Sequence, residues 1–337
     1  MRFGLSLPHY GFSLPGEPTT FGAMASWARK AEAVGFDSVW VSDHFFYSFA
    51  RYGGNPEPIA SLEPLTSLAG LASVTQRVRL GVLVLGAPFR HPATVAKMAA
   101  TIDQVSGGRL DLGLGAGWLE QEFDAFGYRF ASTAERFRAL EDALVILEGL
   151  LSAGHERPIS HEGHVWSVRD ARLLPSPVQR PVPTWVGGKG GPRLLRLAAR
   201  HAAGWNTVWR FTDAWYRERV QVARALCEDE GRDPSTFRLS VGFHALIGED
   251  EADARAIFER GRAAMPGGAM DRDTYEDWCV ETLSGTPGQV VERVMALETL
   301  GVEEIVVAPW VLPFAVPEPE IVERFADRVI APLRATR

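Results

Sequence analysis

The sequence predicts a (β/α)8 TIM barrel with an insertion after the fourth βα unit, and three observations lead there. Short β-branched apolar runs alternate with longer segments of helical periodicity about eight times along the 337 residues. The runs are apolar throughout, as expected of parallel strands buried on both faces. No low-complexity linker divides the chain, and eight units at this length fit a closed barrel better than an open doubly wound sheet, so residues 1–337 are read as one domain.

Phe3 to Leu7 opens as the first strand. From Thr20 to Val34, Phe21, Met24, Trp27, Ala31 and Val34 recur every three or four residues, giving a helix one buried face, and Gly35 follows as its C-cap. Ser38 to Val41 is the second strand and ends in Ser42-Asp43-His44. Leu62 to Val74 is a helix, Val78 to Leu85 the third strand, and Pro92 sits in the first turn of a helix reaching Val105. Leu110 to Leu114 is the fourth strand. A glycine-rich turn and an acidic-aromatic loop from Glu120 to Arg129 lead into a long helix, Ala134 to Leu151, with Phe137, Leu140, Leu144, Leu147 and Leu151 at helical spacing. The insertion runs from His155 to Val182, with a hairpin-like piece around Val165-Trp166 and Arg172-Leu173. Pro183 to Val186 resumes the barrel, and Pro192 to His201 is its helix. Trp205 to Val208 and Asp213 to Glu230 form the sixth unit. Arg238 to Phe243 is the seventh strand, followed by helices from Glu249 to Ala264 and Pro287 to Leu300. Ile305 to Ala308 is the eighth strand, closed by Pro319 to Ile330.

Composition narrows the function. The chain is 46% hydrophobic and 23% charged with net charge -7, which suits an enzyme with a large core and argues against a nucleic-acid partner, because phosphates demand many cations. Cys227 and Cys279 are not a close-spaced pair, so neither a disulfide scaffold nor a thiolate metal site is expected, and a reducing cytoplasm is the natural home. No run approaches the ~18 apolar residues of a membrane span, and Met1 to Pro8 reads as a strand, not a signal peptide.

In such a barrel the loops after the strands converge on one rim that holds the active site. Those loops carry His9-Tyr10, Asp43-His44-Phe45-Phe46, Pro88-Phe89-Arg90-His91, Gly115-Ala116-Gly117-Trp118, Gly187-Gly188-Lys189-Gly190-Gly191, Trp209-Arg210 and Pro309-Trp310. The collection reads as a pocket for a flat aromatic ring carrying a phosphate. Gly187 to Gly191 lies between a strand and a helix, where glycines let backbone approach an anion and the helix start attracts it, with Lys189 adding a charge. The plainer alternative is a flexible strand-to-helix turn. Gly113-Leu114-Gly115-Ala116-Gly117-Trp118 lacks the third glycine of a dinucleotide fingerprint, since Trp118 stands there; it reads as a strand end on which a ring lies flat. Asp43-His44 sets a carboxylate beside an imidazole able to move a proton near pH 7, or alternatively a pair bonding loop backbone. His161, Glu162 and His164 have the spacing H-E-x-H, which does not place two histidines on one helix face, so no metal is expected. No G-x-S-x-G elbow occurs.

Longer pieces carry a family resemblance. They are Ala33-Val34-Gly35-Phe36-Asp37-Ser38-Val39-Trp40-Val41-Ser42-Asp43-His44, Arg79-Leu80-Gly81-Val82-Leu83-Val84, Phe89-Arg90-His91-Pro92, Ser106-Gly107-Gly108-Arg109 running on to Trp118, and Gly187 to Gly191 with Ala203-Gly204-Trp205-Asn206. The sequence resembles the luciferase-like monooxygenase superfamily, and within it the branch that uses coenzyme F420. The resemblance implies that Asp43 and His44 border the deazaflavin or isoalloxazine ring, with His44 as proton acceptor or donor. It implies a non-proline cis peptide at Leu83-Val84 against the ring's back face. Gly115, Ala116, Gly117 and Trp118 would hold the ring edge, and Gly187, Gly188, Lys189, Gly190 and Gly191 the phosphate. It also implies hydride transfer to or from a small-molecule substrate and a homodimer, whereas the FMN-dependent alternative implies a monooxygenase with a separate flavin reductase. Trp118 departs from the acidic proton donor of the sugar-phosphate dehydrogenases in this branch, and Glu120 and Glu122 come slightly later than that donor, so a sugar phosphate is not the expected substrate. Arg51, Arg90, Lys189, Arg193 and Arg210 are the cations expected at the rim for the coenzyme's anionic tail. A non-catalytic flavin-binding barrel is the reading from another functional class.

Overall fold

The computed structural model describes residues 1–335. Among the described residues there are ten strands: β1 Arg2–Ser6, β2 Ser38–Val41, β3 Arg79–Gly86, β4 Leu110–Gly115, β5 Ile159–Glu162, β6 Ser167–Ala171, β7 Thr184–Gly187, β8 Gly204–Trp209, β9 Arg238–His244 and β10 Val302–Ala308. Eight close into a parallel barrel in the order β1-β10-β9-β8-β7-β4-β3-β2, while β5 and β6 form a separate antiparallel hairpin. The expected (β/α)8 barrel, with its insertion after the fourth βα unit, is therefore what the chain forms. Among the described residues, no helix is long and apolar enough to cross a membrane.

The surrounding helices are α1 Phe21–Val34, α2 Pro64–Val74, α3 Pro92–Ser106, α4 Glu120–Ala125, α5 Thr133–Ala153, α6 Pro192–His201, α7 Asp213–Asp229, α8 Glu251–Ala264, α9 Tyr275–Glu281, α10 Pro287–Thr299 and α11 Pro319–Phe325. Local chemistry sets many of their ends. The Thr20 hydroxyl accepts from Ala23 N at the start of α1, and Gly35 ends it at φ +102°. Ser132 and Glu135 form a reciprocal capping box on α5. Proline occupies the first turn of α2, α3, α6, α10 and α11, where a missing N–H costs no hydrogen bond.

Two short helices were not anticipated. α4 occupies the segment read as an acidic-aromatic loop, and α9 sits between α8 and α10. The hairpin is also offset from its expected position: Val165 and Trp166 lie in its turn, and Arg172-Leu173 falls just beyond it. Asp142 on α5 fixes that turn, its Oδ2 accepting from Val165 N at 2.7 Å and Trp166 N at 3.1 Å, while Oδ1 lies 3.1 Å from His161 Nε2.

Alternate residues of each strand face the lumen. Its floor is ionic. Arg2 pairs with Glu304 at 2.7 Å and Arg79 with Asp111 at 2.5 Å, and both carboxylates are fully buried. Ser38 Oγ and Trp40 Nε1 donate to Glu304, and Trp185 Nε1 donates to Asp111. Burial pushes the Glu304 carboxyl up, against the opposing pull of Arg2. Above the floor, Trp40, Trp185, Leu83 and Val306 fill the lumen, with Val84, Val208 and Trp209 packed on top. Gly4 and Gly81 admit the Trp40 indole: a Cβ on Gly81 would lie 2.2 Å from it.

Candidate active site

The open end of the barrel, at the carboxyl ends of the strands, gathers most of the residues singled out in the sequence. Asp43 leaves β2 and is buried with both oxygens engaged. Oδ2 accepts from Arg90 Nη1 at 2.7 Å and from Gly86 N at 2.9 Å, and Oδ1 accepts from Arg90 Nη2 at 2.9 Å. Arg90 also reaches Glu63 at 2.9 Å. This corrects two expectations. Asp43 is a clamp joining the end of β2 to the end of β3, not an open catalytic carboxylate, because a buried anion is stable only when paired and hydrogen-bonded. Arg90 is consumed by that clamp and is not a free cation at the rim.

His44 stands at the mouth with its side chain 12% exposed. Its Nδ1 lies 2.9 Å from Oε1 of Glu122, whose Oε2 accepts from Phe45 N at 2.9 Å. Glu122 is buried on α4 and reaches a residue 78 positions earlier. The sequence left Glu122 out of the site; the missed helix brings it there. With Nδ1 facing a carboxylate, Nε2 is the ring nitrogen left for another partner. Trp118 and Tyr47 pack edge-on, each at 5.7 Å, Tyr10 lies tilted at 6.2 Å, and Arg51 lies over the Trp118 ring at 4.9 Å.

On the neighbouring strand β3 the Leu83-Val84 peptide is cis, as the resemblance implied, and the β3–β4 register breaks between Val82 and Leu85. Val84 projects across the mouth onto glycines of β4 and β7. A Cβ would come within 2.8 Å of Val84 at Gly113, 2.6 Å at Gly115 and 2.5 Å at Gly187. These glycines therefore first serve to receive the Val84 side chain. A second non-proline cis peptide, Val208-Trp209, was not foreseen; Gly242 makes room beside it, with Val208 2.6 Å from where a Cβ would stand.

The glycine turn has the backbone its composition suggests. Gly188 has φ +153° and Gly190 φ +67°, and Trp205 Nε1 donates to Gly188 O at 2.8 Å. Lys189 Nζ donates to Val208 O. The start of α6 has no side-chain cap, and a Cβ on Gly191 would meet nothing within 4 Å. Arg193 lies one residue into the helix, 5.0 Å over Phe137. Arg210, expected as a free cation, is instead bound by Asp273 at 2.6 Å and Glu281 at 2.9 Å.

The remaining wall is aromatic; the sequence places His9, Tyr10 and Trp209 at this rim but does not point to Phe314 or His244. His9 Nε2 lies 3.0 Å from Ser42 Oγ, which also bonds the Tyr10 hydroxyl. Burial lowers the His9 imidazole to about 4. Phe314, at φ +62°, packs against His9 at 4.8 Å and Trp209 at 5.6 Å. His244 ends β9, the one strand end that the sequence reading passed over. A cleft of about 640 Å3 lies at the opposite end of the barrel, around Thr184, His201 and Glu230; its Arg200–Glu230 and His201–Glu148 pairs are closed, and it is remote from the groups above.

Residues 1–304 match the luciferase-like monooxygenase family. An F420-dependent glucose-6-phosphate dehydrogenase of Kineococcus radiotolerans is 32% identical over 246 residues, covering 72% of this chain and 69% of that protein. An FMNH2-dependent dimethylsulfone monooxygenase of Pseudomonas putida is 28% identical over 305 residues, covering 82% and 80%. Among solved structures, the EDTA monooxygenase of Chelativorans sp. BNC1 superposes with TM-score 0.81 at 19% identity, covering 100% of this chain and 94% of the other. An F420-dependent secondary alcohol dehydrogenase, bound to an F420-acetone adduct, superposes with TM-score 0.78 at 18% identity, covering 98% of each. The barrel is thus shared by deazaflavin and flavin enzymes. The chain is an oxidoreductase, and it belongs to the luciferase-like monooxygenase family.

Proposed function

We propose that the protein is a coenzyme F420-dependent oxidoreductase that moves a hydride between the deazaflavin and a small organic substrate. The observation that carries this reading is the Glu122–His44 pair. Interconverting an alcohol and a carbonyl separates a hydride from a proton, and the proton needs a base at the oxygen. An imidazole held through Nδ1 by a buried carboxylate offers Nε2 for that purpose. Taking the proton charges the ring, and the Glu122 carboxylate stabilises that charge. In the reverse direction the same nitrogen returns it.

The mouth fits the cofactor. Val84 would form a ridge for a ring to lie on, Gly115 to Trp118 would border the ring edge, and the uncapped start of α6 with Gly188 to Gly191 would take a phosphate. Arg51, Lys189 and Arg193 are the cations left for a longer anionic tail. When bound, a deazaflavin supplies a carbon that exchanges hydride without activating oxygen, whereas FMN also supports monooxygenation.

FMN is the second reading, and two observations favour it. The dimethylsulfone monooxygenase match covers more of both chains than the glucose-6-phosphate dehydrogenase match does. Closure of Arg90 and Arg210 by carboxylates also removes two of five tail-binding cations. That reading adds a flavin reductase as partner; a homodimer in the cytoplasm is the expectation under both. Parallel fluorescence titrations at low salt decide between them. Tighter binding of F420 is expected; submicromolar FMN binding with none of F420 replaces the deazaflavin by FMN.

A further inference from the structure

Gly242, two residues before His244 on β9, faces Val208 and Trp209 at the top of the lumen, so strand alternation turns His244 to the same side. The residue is 4% exposed. Its Nδ1 lies 2.6 Å from Trp310 O, and a carbonyl only accepts, so Nδ1 carries the proton. Burial lowers the imidazole to about 3, which keeps it neutral and leaves Nε2 as a bare acceptor. No hydrogen bond to Nε2 exists among the described residues.

The surroundings of this nitrogen define what it would accept from. Trp278 at 5.1 Å and Trp209 at 5.7 Å flank the ring, and the aromatic wall continues through Phe314 to Tyr10, whose ring neighbours His44. Two cations act on His244: Arg210, itself paired with Asp273 and Glu281, and Lys189, which donates to the Val208 carbonyl. A bare acceptor has no hydrogen to offer an anion, so Nε2 itself calls for a donor.

We propose that His244 recognises the substrate: Nε2 accepts a hydrogen bond from the hydroxyl or N–H of an uncharged molecule whose aromatic or apolar body lies along Trp209, Phe314 and Tyr10. This rests on the reading of His44 as the reacting end, with His244 marking the other. An anionic group is then not the partner of Nε2, because two acceptors share no hydrogen.

Phenol, anisole and phenyl phosphate test it. They share a ring and differ in carrying a donor, no donor, and an anion. Binding is followed by ligand-observed NMR on the protein saturated with whichever cofactor it takes. Phenol is expected to bind about tenfold tighter than anisole, with phenyl phosphate weakest. H244F brings phenol to the anisole level with cofactor affinity unchanged. H244Q, which restores an acceptor, recovers part of the preference and decides the matter if H244F does not fold. Equal binding of phenol and anisole, tightest binding of phenyl phosphate, binding of none of the three, or a preference that survives in the variants overturns the proposal. None of the probes offers an alcohol carbon to oxidise, so their ranking is independent of the cofactor, and failure of the hydride-transfer reading shows separately as lack of F420 binding.

Discussion

Glu122 touches no reacting atom in the proposed scheme; it holds the residue that does. E122Q keeps the size and one acceptor of the side chain but removes the charge that stabilises a protonated His44. We expect kcat to fall about 10- to 100-fold with KM about unchanged, measured by steady-state kinetics with the intact fold checked by circular dichroism. A loss confined to KM would assign Glu122 to substrate binding instead. His9 and His244 make a second prediction. Their unfolded imidazoles take a proton near 6.5, but the folded ones only at about 4 and about 3. Between those values the unfolded chain binds more protons, so stability is fully present above 6.5 and is lost as the pH falls towards 4. The thermal midpoint should be flat from about pH 8 to 7 and drop below about 6.5, and H9N should start lower at pH 8 but fall less steeply. A slope unchanged in H9N would remove His9 as its source. At this scale the sequence was only partly legible. His44 was read correctly as a residue of the rim because it follows a strand directly. Asp43 looked equally available, yet nothing in the local sequence shows that Arg90 and Gly86 N take its oxygens. Glu122 was discounted because its reach depends on a helix too short to announce itself.

Among elements, β3 and the turn before α6 do most to shape the mouth. The strands were legible because burial on both faces makes each a continuous apolar run, and the long helices because each keeps one apolar face. α4 and α9, of six and seven residues, span barely two turns and offer no periodicity to read. The glycines on β4 and β7 were read as making room for a ring and a phosphate, and the structure adds the Val84 side chain as the more immediate reason. Gly191 is the position where the two roles separate, since it has room, φ -65° and no neighbour. G191D supplies an N-cap side chain for α6 while placing a negative charge where the phosphate is proposed. The thermal midpoint should hold or rise, and cofactor affinity should fall at least about tenfold. Unchanged affinity in a folded G191D protein would move the phosphate elsewhere.

Across the whole molecule, the barrel rests on a floor that no strand-by-strand reading reveals, because Arg2 and Glu304 lie at opposite ends of the chain. Removing Arg2 takes from the buried Glu304 its cation and leaves it only the Ser38 and Trp40 donors. R2L should cost about 3–5 kcal/mol in denaturant unfolding, and the double variant R2L/E304Q should recover much of it. Equal losses in both would mean that the pair is screened by solvent. The closed shape was legible from the count of eight units; the choice between F420 and FMN was not, because the two share a ring and a phosphate and differ in parts that exposed side chains meet. The floor also bears on traffic through the mouth. Salt-bridged below and plugged by Trp40 and Trp185, the lumen has a single entrance. The proposed cofactor and substrate would then share one way in and one way out, and product would have to leave through the mouth by which the cofactor came, a restriction set by two ion pairs and two indoles far below it.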